Sequence, residues 1–427
     1  MYCKTAVLVL AALGMVAPTP APTHIRKSGP ITLPLTQRSV AWGSPPVSCW
    51  HLTGRAAELE NWNRDTSYNT VVDIGQVPEP PVNMIVGTGS ARLWVLGPNC
   101  TSSDCQGTGT PFDPAASDTF QYTGIDMTQS YGRGSVSGAM GEDRVSLAGS
   151  ALPSQQFGVV SDVKDMPLIS QYEEVGILGL THATSGGAGN NNTGTDYVGV
   201  WEGLVNAGVL TDDQFGLYLK RDPVSSTEQT TSGGVVHGAG GTLTLGGVDT
   251  SVINGQLNYV DLPIQDSEFW AVTLDSLSMD GVAVDGSEGQ AAIDSGTTMI
   301  FGPASVVDTI FQNVSGAYND PDNGWMMPCV SAIPEVSLTF GGVVYPIFAG
   351  DLLRQSVGND SLCSAMIGSG FSSNNFNWIV GATFLKNVYT AFRAKPTAQV
   401  GFASLTDAAN VRSPSAVGPP VQPTTGA

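Results

Sequence analysis

The 427-residue chain is 41% hydrophobic and only 13% charged, enough apolar material for a large core, and its length points to about two or three domain-sized units rather than a disordered polymer. Thirty-seven acidic residues against 17 basic ones leave a formal charge of -20, which argues against nucleic acid or an anionic membrane surface as partner. As pH falls toward the sequence pI of about 4.3, carboxylates neutralise and self-repulsion shrinks, so an acidic medium suits this composition.

Residues 1–21, MYCKTAVLVLAALGMVAPTPA, carry one early lysine, an apolar run and then small residues and prolines, the pattern of a secretory signal peptide. The run is too short to span a bilayer comfortably, and no later segment is apolar for long enough, so secretion to the extracellular medium is expected. Residues 22–65 contain Arg26, Lys27, Arg38, Arg55 and Arg64, a basic segment in an acidic protein. That contrast suggests a propeptide able to cover an acidic cleft until it is removed.

Beyond it, short alternating runs such as YNTVVDI, GTLTLGGV, LNYVDLPI, FWAVTLDSLSM and EVSLTFGGVVYPI, separated by Gly, Asn, Asp and Pro, predict a mostly β protein. WEGLVNAGVL and ASVVDTIFQNV have the apolar spacing of short helices. Two segments rich in Gly, Ser, Thr and Asn, Thr184 to Thr195 and Ser225 to Gly241, read as mobile surface excursions, and residues 406–427 as a disordered tail.

Of six cysteines, Cys3 would leave with the signal peptide; Cys100 with Cys105, and Cys329 with Cys363, are plausible disulfides of an oxidising compartment, which leaves Cys49 without an obvious partner. His24, His51, His182 and His237 are scattered without ligand spacing, so no metal site is expected. Asn99, Asn191, Asn313 and Asn359 head Asn-x-Ser/Thr glycosylation acceptors.

An internal repeat carries the most information. MIVGTGSA, around Gly87, and AAIDSGTT, around Asp294, share one design: a hydrophobic strand running into a loop of small residues. Each is followed about ninety residues later by two apolar residues and a glycine, Ile177-Leu178-Gly179 and Ile379-Val380-Gly381, as in two diverged lobes. The position that is Asp294 in the second copy is Gly87 in the first.

With LWV at Leu93 to Val95, YGRGSVSG at Tyr131 to Gly138, GILGL at Gly176 to Leu180, GGTLTLGGVD at Gly240 to Asp249, FWAVTLDSLSMDG at Phe269 to Gly281 and WIVGATFLKNVYTAF at Trp378 to Phe392, the chain resembles a pepsin-like aspartic endopeptidase of the fungal secreted type over roughly Tyr68 to Ala403. The resemblance implies a bilobal fold with an N-terminal β lobe at 66–250 and a C-terminal one at 251–405. It implies no cofactor, a monomer, and an extended peptide or unfolded protein in the cleft between lobes. In that family two aspartates share one proton; one withdraws a proton from a water while the other protonates the scissile carbonyl. By motif position, Asp294 is the second of them and Gly87 stands where the first should be. Thr88 and Ser295 fall where hydroxyls brace the two loops, and Ser90 and Thr297 where hydroxyls bond the outer carboxylate oxygens. Tyr131, followed by Gly132, falls on the flap tyrosine and Trp94 on its partner beneath. Between Asn83 and Asn99 no Asp or Glu could replace the missing acid. Three smaller departures are Arg92, Val175 and Arg393, where the family commonly has Asp or, at the first, Asp or Asn.

Overall fold

A computed structural model of the protein describes residues 56–411, apart from 63–64, 76–80, 106–108, 167–173, 182–196, 211, 222–228, 231–235, 266, 322, 357–358, 372 and 374. Cys3, Cys49 and Asn191, with the signal segment, most of the basic leader and the end of the tail, lie outside these residues.

The expected mostly β architecture is found. Strands of the N-terminal half alternate core and solvent positions where one face is covered, as at Val71 to Ile74 in the strand Ser67–Ile74, and are buried on both faces where they run through the middle, as in Val82–Gly87. A 14-stranded sheet links the halves, and its crossing point is the antiparallel pair Gln214–Leu219 with Val388–Arg393, in register at Tyr218↔Tyr389 and Phe215↔Phe392. There Phe215 and Phe392 stack with ring centroids 4.7 Å apart, and Trp270 packs edge-on against Phe215 at 6.0 Å. Rings buried this fully hold the halves in one orientation. The C-terminal half adds a five-stranded and two four-stranded sheets.

Both predicted helices form. Val200–Asn206 buries Val200, Trp201 and Leu204, and Ala304–Phe311 buries Val306, Val307, Ile310 and Phe311, the one-sided spacing that the sequence displays. The Cys100–Cys105 and Cys329–Cys363 disulfides are both present. Asn99 and Asn313 are exposed, and Asn359 opens the strand Asn359–Ala365.

Three stretches differ from their reading in sequence. Within Ser225 to Gly241, expected to be an excursion, residues from Val236 onward belong to the strand Val236–Leu245, paired with Ala56–Trp62 and Gln214–Leu219. Two of its glycines sit where neighbouring strands come close: a Cβ on Gly240 would lie 2.5 Å from Asn61 N and one on Gly241 1.9 Å from the Tyr218 carbonyl oxygen, where a φ of +116° also favours glycine. Ala56–Trp62, at the end of the basic leader, is a strand of the main sheet that buries Ala57, Leu59 and Asn61. Residues 406–411, the start of the tail, are also packed: Thr406 N–H donates to Val252 O at 2.9 Å, and the Tyr218 hydroxyl to Ala409 O at 2.8 Å.

Beneath the sheet a buried ionic cluster ties residues distant in sequence. Lys386 Nζ lies 2.7 Å from Asp65 Oδ2 and 3.3 Å from Asp351 Oδ1, and the Arg221 guanidinium holds Asp351 at 2.8 Å. Arg221 also donates to Asn410 Oδ1 at 2.9 Å. Such a cluster is strongly destabilising when one member is removed, because its partner stays buried and charged.

Candidate active site

The repeat seen in sequence is a repeat in register. In the first copy Val86 pairs in parallel with Leu178, and in the second Ile293 pairs in parallel with Val380. Trp94 then sits antiparallel to Ile177 as Phe301 does to Ile379. Gly87 and Asp294 are therefore structural counterparts, each the first residue after an equivalent paired position.

The two loops that follow interlock. Thr88 Oγ1 donates to Ile293 O at 2.8 Å and accepts from Ser295 N–H at 3.0 Å; reciprocally, Ser295 Oγ donates to Val86 O at 2.6 Å and accepts from Thr88 N–H at 3.2 Å. Both side chains are almost fully buried, so the two hydroxyls, two N–H groups and two carbonyls satisfy one another through four hydrogen bonds across the halves. A hydroxyl is required at each place because it must donate and accept at once.

Asp294 lies on this floor. Its Oδ1 accepts from Gly296 N–H and from Gly89 N–H of the opposite loop, both at 2.9 Å, and its Oδ2 accepts from Thr297 Oγ1 at 2.7 Å. Burial raises its pKa above the ordinary value of 3.8, and those three hydrogen bonds oppose the rise. Gly89 has to be glycine, since a Cβ there would come within 2.5 Å of the Asp294 carboxyl carbon. At Gly87 the situation is the reverse. A Cβ would meet, within 4 Å and beyond its chain neighbours, only Ile177 Cγ2 at 3.3 Å and Ser90 Oγ at 3.8 Å. The backbone leaves room for a side chain that the sequence does not supply.

Tyr131 lies at the tip of the hairpin joining Gln121–Ser130 to Ser135–Leu147, where Gly132 is exposed. Its hydroxyl accepts from Trp94 Nε1 at 2.6 Å and hydrogen-bonds Ser90; burial pushes the phenol well above its ordinary range, so it stays protonated. Ser90 is the counterpart of Thr297, and it bonds to Tyr131. Of the residues singled out in sequence, Thr297 bonds the Asp294 carboxylate, Thr88 and Ser295 brace the loops of Gly87 and Asp294, and Ser90, Tyr131 and Trp94 are linked by hydrogen bonds to one another.

A sequence model of the family described as "eukaryotic aspartyl protease" matches residues 67–405. The chain belongs to the eukaryotic aspartyl protease family. It is 34% identical over 361 residues to major aspartyl peptidase 1 of Cryptococcus neoformans var. grubii, a match covering 81% of this chain and 70% of that protein. Pepsin A of Sus scrofa is 32% identical over 338 residues, covering 78% of this chain and 80% of its own, and pepsin-2B of Gadus morhua 30% over 351 residues, covering 82% and 99%.

Among the departures from the aspartyl protease pattern, Arg92 is buried with its guanidinium carbon 5.9 Å from the Tyr197 ring centroid, and the Tyr197 hydroxyl accepts from Leu93 N–H at 2.8 Å. Val175 is buried, and Arg393 lies over the Tyr259 ring at 3.9 Å. Each has an apolar or aromatic environment of its own, and none contributes an acid to the site. Sequence reading missed the Gly89 and Gly296 N–H groups as donors to Asp294; the third position of each repeated loop, glycine both times, was the available signal. Tyr197 follows a stretch of low-complexity sequence and carried no signal.

Proposed function

We propose that this protein is a secreted member of the aspartyl protease family whose cleft receives an extended peptide or an unfolded protein segment but hydrolyses it very slowly. The observation that carries the reading is Gly87: the site supplies a braced, hydrogen-bonded Asp294 and, where the first acid belongs, no carboxylate. Loss of one member of a cooperating catalytic unit lowers the rate on the order of 10⁴- to 10⁶-fold, about 5 to 8 kcal/mol of transition-state stabilisation. Asp294 alone can protonate a carbonyl oxygen, but nothing is placed to take the proton from the attacking water.

The interlocked loops and the Trp94–Tyr131 hydrogen bond support retention of binding, and with it the second reading, a catalytically inactive peptide- or protein-binding module. Secretion through an N-terminal signal, a basic propeptide over the cleft, glycosylation and a monomeric state complete the proposal.

Two measurements on the purified, acid-treated protein test it. Fluorescence anisotropy with labelled unfolded peptides at about pH 4, the range of a carboxylate pair, should report saturable binding while product formation stays near the detection limit. A statine-type inhibitor, whose hydroxyl needs both acids, should bind far more weakly than to an intact aspartyl protease. Rapid cleavage, or tight statine binding, would overturn the reading.

A further inference from the structure

We propose that the space beside Gly87 is a binding site for a small carboxylate of formate size, and that formate bound there takes the role of the absent acid and restores peptide hydrolysis. The inference rests on the catalytic reading of the cleft given above.

Three observations support it. First, no backbone closes over Gly87: a Cβ there would meet, within 4 Å and beyond its chain neighbours, only two side-chain atoms, Ile177 Cγ2 at 3.3 Å and Ser90 Oγ at 3.8 Å. Second, the site lies against the surviving acid, since a point one bond from the Gly296 Cα is 3.2 Å from Asp294 Oδ1 and 3.3 Å from the Gly87 Cα. Third, the repeat supplies donors. Asp294 is held by the N–H of the residue two places on, Gly296, and by the hydroxyl three places on, Thr297. The corresponding groups for position 87 are Gly89 N–H, which donates to Asp294 Oδ1, and Ser90 Oγ, which bonds Tyr131; bound formate shares the first with Asp294 and draws the second from Tyr131.

Size selects the ligand. An aspartate carboxyl carbon would stand two bonds from the Gly87 Cα, whereas an untethered one can approach only to about 3.5 Å, the carbon–carbon contact distance. Formate adds no further atom and comes nearest to the natural position. The methyl of acetate competes for the same space, and propionate more so.

The chemistry balances without any other reactant. Bound formate accepts a proton from water as the water oxygen bonds to the scissile carbon, while protonated Asp294 gives its proton to the carbonyl oxygen as the C=O π bond opens. When the tetrahedral intermediate collapses, the C–N bond breaks, formic acid returns its proton to the departing nitrogen, and a hydroxyl proton passes back to Asp294. Peptide and water become acid and amine, and formate is regenerated. Burial, which favours the neutral form of Asp294, suits it to the acid role.

The test measures cleavage of an unfolded protein substrate at about pH 4, where a carboxylate is near its titration point, in rising sodium formate against sodium chloride at matched ionic strength. The parent should show a saturable rise of roughly a hundred-fold, the lower range for a positioned acid or base. Acetate should do less and propionate nothing. Gly87→Asp should cleave without formate and gain nothing from it, and Ser90→Ala should need more formate for half its maximal effect. No rise in the parent while Gly87→Asp cleaves would overturn the proposal and leave the reading of the cleft intact, as would an equal rise with chloride or in Gly87→Asp. If Gly87→Asp also fails to cleave, both fall.

Discussion

Restoring the missing acid as Gly87→Asp should convert a nearly silent cleft into a working one. Position 87 ends the strand Val82–Gly87, in a backbone conformation open to any residue, so the substitution carries no left-handed strain. Its one tight contact is Ile177 Cγ2, 3.3 Å from the new Cβ, which asks a methyl group to yield by a few tenths of an ångström. The cost is about 1 kcal/mol, the low end for overpacking a core. It is partly offset by about 0.4 to 1 kcal/mol from the reduced freedom of the unfolded chain. Against this stand about 5 to 8 kcal/mol of transition-state stabilisation, so cleavage should rise on the order of 10⁴- to 10⁶-fold. The assay is release of acid-soluble peptides from an unfolded protein between about pH 3 and 4, with melting temperatures to show that both proteins are folded. The rate should fall at higher pH as the pair loses its shared proton. A parent that cleaves as fast as the variant would refute the argument.

Other expectations follow from the same geometry. Because burial raises Asp294 in the folded state, the native protein holds that proton more tightly than the unfolded chain does; its contribution to stability is complete below the ordinary 3.8 and is lost as pH rises through the folded value. Asp294→Asn cannot titrate and should flatten that limb of a melting-temperature profile against pH. An unchanged profile would remove Asp294 as its source. Thr88→Val leaves the Ser295 N–H and Ile293 O without their partner and should lower stability by about 1 to 3 kcal/mol in urea unfolding. Lys386→Met leaves Asp65 and Asp351 facing each other where the lysine stood and should cost about 3 to 5 kcal/mol, toward the lower figure because Arg221 still holds Asp351. A shift within experimental error would show the cluster to be energetically neutral.

The fold class was legible because strand alternation and the two helical stretches are local signals, and Ala304–Phe311 buries the residues its spacing nominates. The site was legible through the repeat: a two-fold duplication of strand, loop and hydrophobic-Gly segment places Gly87 opposite Asp294 without any coordinates. What escaped were features set by neighbours distant in sequence. Val236–Leu245 looks like a glycine-rich loop although two of its glycines, Gly240 and Gly241, serve close approach to Asn61 and Tyr218, a contact that composition cannot announce. Likewise Ala56–Trp62 reads as the end of a basic arm until its partners are known. Lys386 and Asp65, 321 residues apart, meet only in the folded chain.

The strand Ala56–Trp62 is hydrogen-bonded along both sides, to Val236–Leu245 on one and Ser67–Ile74 on the other. Proteolytic trimming that removed it would bare two ladders at once, and exposed ladder edges recruit other chains into insoluble assemblies. If the basic leader is removed as proposed, these two ladders favour a cut upstream of Ala56, and N-terminal sequencing of the secreted protein that finds a start beyond Trp62 would refute this.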